Sequence, residues 1–257
     1  MQKVFSYIKH LIKSTNQHGI HSPFVYDLTT KCFYQKTILS KKNTLKLYRK
    51  KLLSNRENIE VTDFGAGSKV FKSNLRPIHK IAMYAGISSK SANLLCNISE
   101  YFKPKTVIEI GTSLGIGTAA IHVGNPIAKI TTLEGCNNTA RVAQKQFDHF
   151  SFKNIDIITG EFSKTLPTLP FSNLLDMVYF DGNHQKKPTL DYFHHCLQFI
   201  HNESFFIFDD IHWSKEMEDA WEEIKKHPKV KVTIDTFQWG IVFFRKEQEK
   251  EHFIIRV

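Results

Sequence analysis

Between residues 105 and 245 the chain alternates short β-rich runs with helical patterns, and no other feature narrows the fold as much. Runs at 106–110, 129–133, 155–159, 175–180 and 204–208 read as strands. Helical spacing follows at 116–123, 139–150, 188–200 and 214–226. Two final runs, 229–235 and 240–245, have no helix between them and read as a hairpin. Repeated βα units predict an α/β fold, a mostly parallel sheet with helices on both faces. Such sheets take ligands beyond the carboxyl ends of their strands, near the point where strand order reverses. Chemistry is therefore expected in the residues just after each strand.

The first 104 residues read differently, as a basic helical region joined at Pro104 to a 105–257 domain. Phe5, Ile8, Leu11 and Ile12 recur at helical spacing. Ser22-Pro23 is an N-cap followed by proline at the first helical position, which opens a helix to about Gln35. Further helices are expected over 44–53, 77–85 and 89–102. Residues 1–105 hold 19 Lys/Arg against 5 Asp/Glu, whereas the remainder is mildly acidic. A basic front can attract an anionic small molecule, a nucleic acid or an anionic membrane surface, or can simply be solvated. No apolar run approaches the ~20 residues that span a bilayer, and the first residues lack a secretory h-region. The four cysteines are far apart with no Cys-x-x-Cys pair, as expected of free thiols in a reducing cytoplasm.

The glycine-rich turn Glu109-Ile-Gly111-Thr-Ser113-Leu-Gly115-Ile-Gly117-Thr118 closes the first of these strands. Glycines let the backbone turn sharply and approach a ligand, and the following helix offers free N–H groups to it. The spacing is not the Gly-x-Gly-x-x-Gly of dinucleotide enzymes. The segment resembles the first motif of class I S-adenosylmethionine-dependent methyltransferases, in the form found in the metal-dependent O-methyltransferases of the catechol and caffeoyl-CoA type. That resemblance implies a Rossmann-like seven-stranded sheet of order 3-2-1-4-5-7-6, its last strand antiparallel, plus the N-terminal helical extension as a lid or docking surface. It further implies that Gly111, Ser113 and Gly115 line the cofactor, with Glu109 in support.

Glu134 ends the next strand, where a carboxylate can accept hydrogen bonds from vicinal ribose hydroxyls; in the family this is the ribose-binding acid. Gly160-Glu161-Phe162 follows the 155–159 run and resembles the segment beside the adenine. Asp181 follows the 175–180 run, and Asp209-Asp210 follow the 204–208 run. Three carboxylates meeting at one rim repel unless a cation or protons neutralise them. All-oxygen ligands suit Mg²⁺ or another hard divalent ion, and the family holds one there with an Asp-Asn pair where this chain has Asp-Asp. His184, three residues after Asp181, stands where those enzymes carry a lysine base. A histidine suits that task because its pKa lies near neutrality.

Taken together, these motifs lead to the expectation of methyl transfer to a hydroxyl of a small, anionic acceptor. An RNA or DNA methyltransferase is the first alternative, prompted by the basic front, although the Asp-Gly-Asn-His loop is unlike the Asn/Asp-Pro-Pro-aromatic loop of enzymes acting on exocyclic base amines. A nicotinamide-dependent oxidoreductase is the second, and a binding protein without turnover the third. Asp63-Phe-Gly65-Ala-Gly67-Ser68 is a second glycine turn, but no strand ending in an acid follows it, so it is read as unrelated to the cofactor. Trp213, Met217, Ala220, Trp221 and Ile224 read as one helix face packed on the sheet.

Overall fold

The structure, a computed structural model, describes residues 2–62, 71–170 and 174–257. The Asp63–Ser68 turn lies outside the described residues.

Five helices and a small ribbon precede the sheet. They are α1 (Gln2–Lys13), α2 (Pro23–Leu28), α3 (Leu39–Ser54), α4 (Ile78–Tyr84) and α5 (Ser89–Phe102), with β1 (Asn58–Glu60) and β2 (Leu75–Pro77) paired antiparallel between α3 and α4. The helix from Ser22 does not run unchanged to Gln35. At Thr29–Phe33 it widens into a π turn, where the Thr29 hydroxyl donates to the Val25 carbonyl at 2.8 Å. A hydroxyl bonded back to the i−4 carbonyl competes with the helical ladder and loosens it.

The sheet has eight strands: β3 (Thr106–Ile110), β4 (Lys129–Glu134), β5 (Ile155–Thr159), β6 (Leu175–Phe180), β7 (Ile200–Asp209), β8 (Val232–Asp235), β9 (Trp239–Phe243) and β10 (Glu251–Ile254). Their order is β10-β8-β9-β7-β6-β3-β4-β5, and β9 alone runs antiparallel to its neighbours. The first seven follow the expected order. The eighth, β10, corrects the expected count: it pairs in parallel with β8 and covers that strand's open edge.

Side chains alternate across the sheet as strand geometry requires. Val107 and Met177 enter one core, and Ile108 and Val178 the other. The first core is shared with α2 to α5, with α6 (Ile116–Gly124) and with α7 (Asn137–His149). The second is covered by α9 (Lys186–Cys196) and α10 (Lys215–Lys226); the short α8 (Phe162–Thr165) follows β5. Met217, Ala220, Trp221 and Ile224 are buried on α10 as expected, but Trp213 precedes the Ser214 cap and is not on that helix.

Helix α1 forms where its periodicity predicts, yet its apolar stripe faces outward: Phe5 is 70% and Ile12 80% exposed, while His10 is buried. The register decides where the chemistry goes. Ile110 pairs with Leu133 and with Phe180, and Phe180 pairs with Phe208. The residues that follow, Gly111, Glu134, Asp181 and Asp209, therefore share one rim at the point where strand order reverses.

Candidate active site at the carboxyl end of the sheet

The turn after β3 is built from backbone constraints. Gly111 has φ +107°, and a Cβ there would overlap the Asp181 carbonyl on the neighbouring strand. Ser113 is also left-handed, φ 48°. Gly115, φ +74°, lies under Phe147 and Tyr48, either of which a Cβ would meet at under 3 Å. The Tyr48 hydroxyl, from α3, donates to the Leu114 carbonyl at 2.9 Å. The N-terminal helices thus hold the turn from behind.

Glu134 faces forward. Its carboxylate accepts the Ser113 N–H at 2.7 Å and the Cys136 N–H at 2.9 Å, which fixes it across the turn. Glu109 points the other way. It is fully buried, accepts hydroxyl bonds from Thr132 (2.6 Å) and Thr118, and lies behind the turn. Burial, partly offset by those two bonds and reinforced by Glu134, pushes its pKa up to about 7.

Asp209 is buried and Asp181 half-buried, and the two are hydrogen-bonded to each other. Burial first, then mutual repulsion, drives the Asp181 pKa well above the carboxylate range; burial and Asp210 raise that of Asp209. The Tyr179 hydroxyl lies 3.3 Å from Asp181. Gln238, in the β8–β9 turn, donates to Asp209 Oδ1 at 2.7 Å and to Asp210 Oδ1 at 3.1 Å. His184 Nε2 is 3.9 Å from Asp181 Oδ1, and its ring lies 6.1 Å from that of Trp213.

These groups open on a cavity of about 940 Å³, within the range of small-molecule sites. Gly111, Ser113, Glu134, Glu161, Phe162, Asp181, His184, Asp209 and Asp210 all line it. Glu109 and Gly115 do not; they support the turn. Phe162 packs against Gly182, where a Cβ would meet its ring, and Glu161 is held at the start of α8 by Lys164 and Ser163. The opposite wall comes from the N-terminal part, including Phe71, Arg76, Tyr84 and Ser88. Sequence reasoning expected the N-terminal part as a lid but named none of these wall residues, placed Trp213 on a helix face rather than at the cavity, and passed over Gln238, which carries no sequence signal.

The three aspartates do not form a cation cage as arranged. They do not bring one carboxylate oxygen each within 4.8 Å of the others, whereas His10, His212 and Asp235 do form such a group. Gln238 bonds two of the aspartates, Asp209 and Asp210.

Residues 108–211 match the family model described as a methyltransferase domain. Over these residues the chain is similar to a methyltransferase domain. Solved structures agree in fold. The O-methyltransferase from Bacillus cereus in complex with SAH is 17% identical, with TM-score 0.55, over 63% of this chain and 84% of that one. The O-methyltransferase TomG from Streptomyces achromogenes, in complex with SAM, gives 16%, 0.54, 63% and 82%. The SAH-bound methyltransferase PaMTH1 from Podospora anserina gives 13% and 0.61 over 87% and 94%, so its likeness extends beyond residues 108–211 into the N-terminal helices. No curated protein matches the chain at a significant level. No helix among the described residues is long and apolar enough to cross a membrane.

Proposed function

We propose that the protein is an S-adenosylmethionine-dependent O-methyltransferase acting on a small hydroxylated molecule. The observation that carries this reading is Glu134, pinned by the Ser113 and Cys136 amides and facing the cavity beside the Gly111 turn. A carboxylate held open this way accepts two vicinal hydroxyls of a ribose. Gly111, Ser113, Glu134, Glu161, Phe162 and Asp181 would hold the cofactor, with Glu109 and Gly115 shaping the turn from behind. When bound, S-adenosylmethionine supplies an electrophilic methyl group on a sulfonium.

The chain's own part is positioning and proton removal. The carboxylates of the inner wall, Glu134, Asp181 and Asp209, suit a cationic ligand. His184 Nε2 takes the proton of the acceptor hydroxyl, and the Asp181 carboxyl 3.9 Å away stabilises the imidazolium that results. Trp213 walls this point against water. The region 1–104 serves as the substrate-covering part, because Phe71, Arg76 and Tyr84 face the site across the cavity. Aromatic faces and a guanidinium there suit a planar acceptor bearing an anionic group. The four cysteines, all unbridged and buried, support a cytoplasmic location.

Calorimetric titration of the full chain with S-adenosylhomocysteine and with NADH tests the cofactor. Binding of the first and not the second is expected, and the reverse preference refutes the proposal. Methyl transfer is then assayed on paired phenols with and without a carboxylate. A lower KM for the carboxylate member, lost in Arg76→Ala, supports the anionic acceptor; equal KM values remove that part.

A further inference from the structure

The N-terminal helix α1 is attached in an unusual way. It turns Phe5 and Ile12 to solvent and buries His10, at 5% exposure. Apolar contact is limited to half-buried Leu11 and the Tyr7 ring against Phe237, so polar groups carry much of the attachment. His10 Nδ1 comes within 3.2 Å of Asp235 Oδ1, yet that buried nitrogen makes no aligned hydrogen bond. On the other carboxylate oxygen, Asp235 Oδ2 lies 2.8 Å from His212 Nε2. The second nitrogen of His212, Nδ1, lies 3.2 Å from Glu218 Oε1, an oxygen that also accepts the Ser6 hydroxyl at 2.5 Å. The Phe237 N–H donates to Asp235 Oδ1 at 2.7 Å, and the Phe237 ring stacks on His212.

Electron pairs decide what these contacts require. An ionised Glu218 can only accept, so His212 Nδ1 carries the hydrogen. Nε2 then faces a carboxylate oxygen at 2.8 Å, a contact that a second ring proton or a metal cation can satisfy. His10 Nδ1 faces the other oxygen at 3.2 Å without an aligned hydrogen bond, which leaves it available as a ligand. A carboxylate that fixes one histidine nitrogen so that the other can ligate is the usual support of a metal-bound histidine. The three ligand atoms lie within 4.8 Å of one another. Tetrahedral ligation at about 2.1 Å separates ligand atoms by about 3.4 Å, so the two histidine–carboxylate contacts, at 3.2 and 2.8 Å, need open by about 0.2 and about 0.6 Å.

We propose that His10, His212 and Asp235 bind one divalent ion of the zinc type, which pins α1 to the end of the sheet. Two imidazoles and one carboxylate favour zinc, cobalt or nickel over magnesium or calcium. The site lies apart from the cavity: none of its three ligands lines it. It is independent of the proposed methyl transfer.

The test uses the full chain, stripped with chelator and dialysed against Zn²⁺, with Co²⁺ as a spectroscopic probe. One zinc per chain is expected, together with the visible absorption of tetrahedral cobalt. His10→Ala, which alters only the helix, should weaken zinc binding by at least about 100-fold with unchanged circular dichroism. Hydrogen exchange gives a second reading that needs no variant: amides of residues 4–13 should become protected when zinc is added. Binding well below one zinc per chain, equal affinity in His10→Ala, which would mean surface histidines only, or α1 amides indifferent to zinc would each overturn the proposal. A proton alone would then bridge these groups.

Discussion

Replacing Glu109 with glutamine isolates the electrostatic cost of the acid behind the glycine turn. In the folded protein burial holds its pKa at about 7, against an ordinary value of 4.5. Below pH 4.5 the group is protonated in both folded and unfolded chains, and its charge costs nothing. As pH rises from 4.5 the unfolded chain loses the proton while the folded one keeps it, so stability falls. Above about pH 7 both states are ionised and the loss is complete. At ~1.4 kcal/mol per tenfold change in proton concentration, the interval amounts to about 3 kcal/mol. Glutamine keeps an oxygen to accept the Thr118 and Thr132 hydroxyls but does not titrate. Urea denaturation followed by tryptophan fluorescence at several pH values measures both proteins. Relative to the parent, Glu109→Gln should gain about 3 kcal/mol between pH 4 and pH 8. Asp181 and Asp209 also titrate upward in the fold, but they are present in both proteins and largely cancel from the difference. A difference that stays constant across this range would mean that Glu109 is ionised in place, and the assigned burial cost would be wrong.

Glu134→Ala should weaken S-adenosylhomocysteine binding by about 1–3 kcal/mol, the scale of a lost charged hydrogen bond; unchanged calorimetric affinity would remove Glu134 from the site. His184→Gln should lower kcat by roughly 10²–10⁴ while leaving cofactor affinity intact, as expected of a proton acceptor; an unaffected kcat would assign the base elsewhere. Added Mg²⁺ or Mn²⁺ should leave the kcat of chelator-treated enzyme unchanged, because the three aspartates do not converge as a cage and Gln238 already bonds two of them. Strong activation would show that the three carboxylates open into a cation cage.

Much of the sheet was legible because each strand and helix signals itself locally. Once the runs are assigned, pairing brings Gly111, Glu134, Asp181 and Asp209 together, since each directly follows its strand. What periodicity lacks is a facing. Phe5, Ile8 and Ile12 mark α1 as a helix, but whether that stripe is buried depends on a surface over 200 residues away in sequence, and there His212 and Asp235 claim the opposite face. Glu109 shows the same limit. It alternates correctly along β3, and only the packing of Thr118 and Thr132 decides that it serves the turn from behind. Strand β10 is four residues of ordinary composition after a charged stretch, and an edge strand of that length gains its identity from β8 rather than from its own sequence.

Charge illustrates why composition and site must be argued separately. The excess of Lys/Arg over residues 1–105 invites a nucleic-acid partner, which would need cations around the cavity mouth to meet phosphates. Among the described residues that line the cavity, Arg76 and Lys187 are the lysines and arginines, against Glu134, Glu161, Asp181, Asp191, Asp209 and Asp210. Lys187 is itself paired with Asp191 at 2.6 Å. The basic front therefore spends its charge mainly on outer faces, such as Lys31 beside Asp27 and Lys41 beside Glu100. The carboxylate-rich cavity suits the cationic sulfonium of the cofactor. A net charge read over the whole chain is a poor guide to the ligand, because the residues that set it and the described residues that line the cavity are different ones.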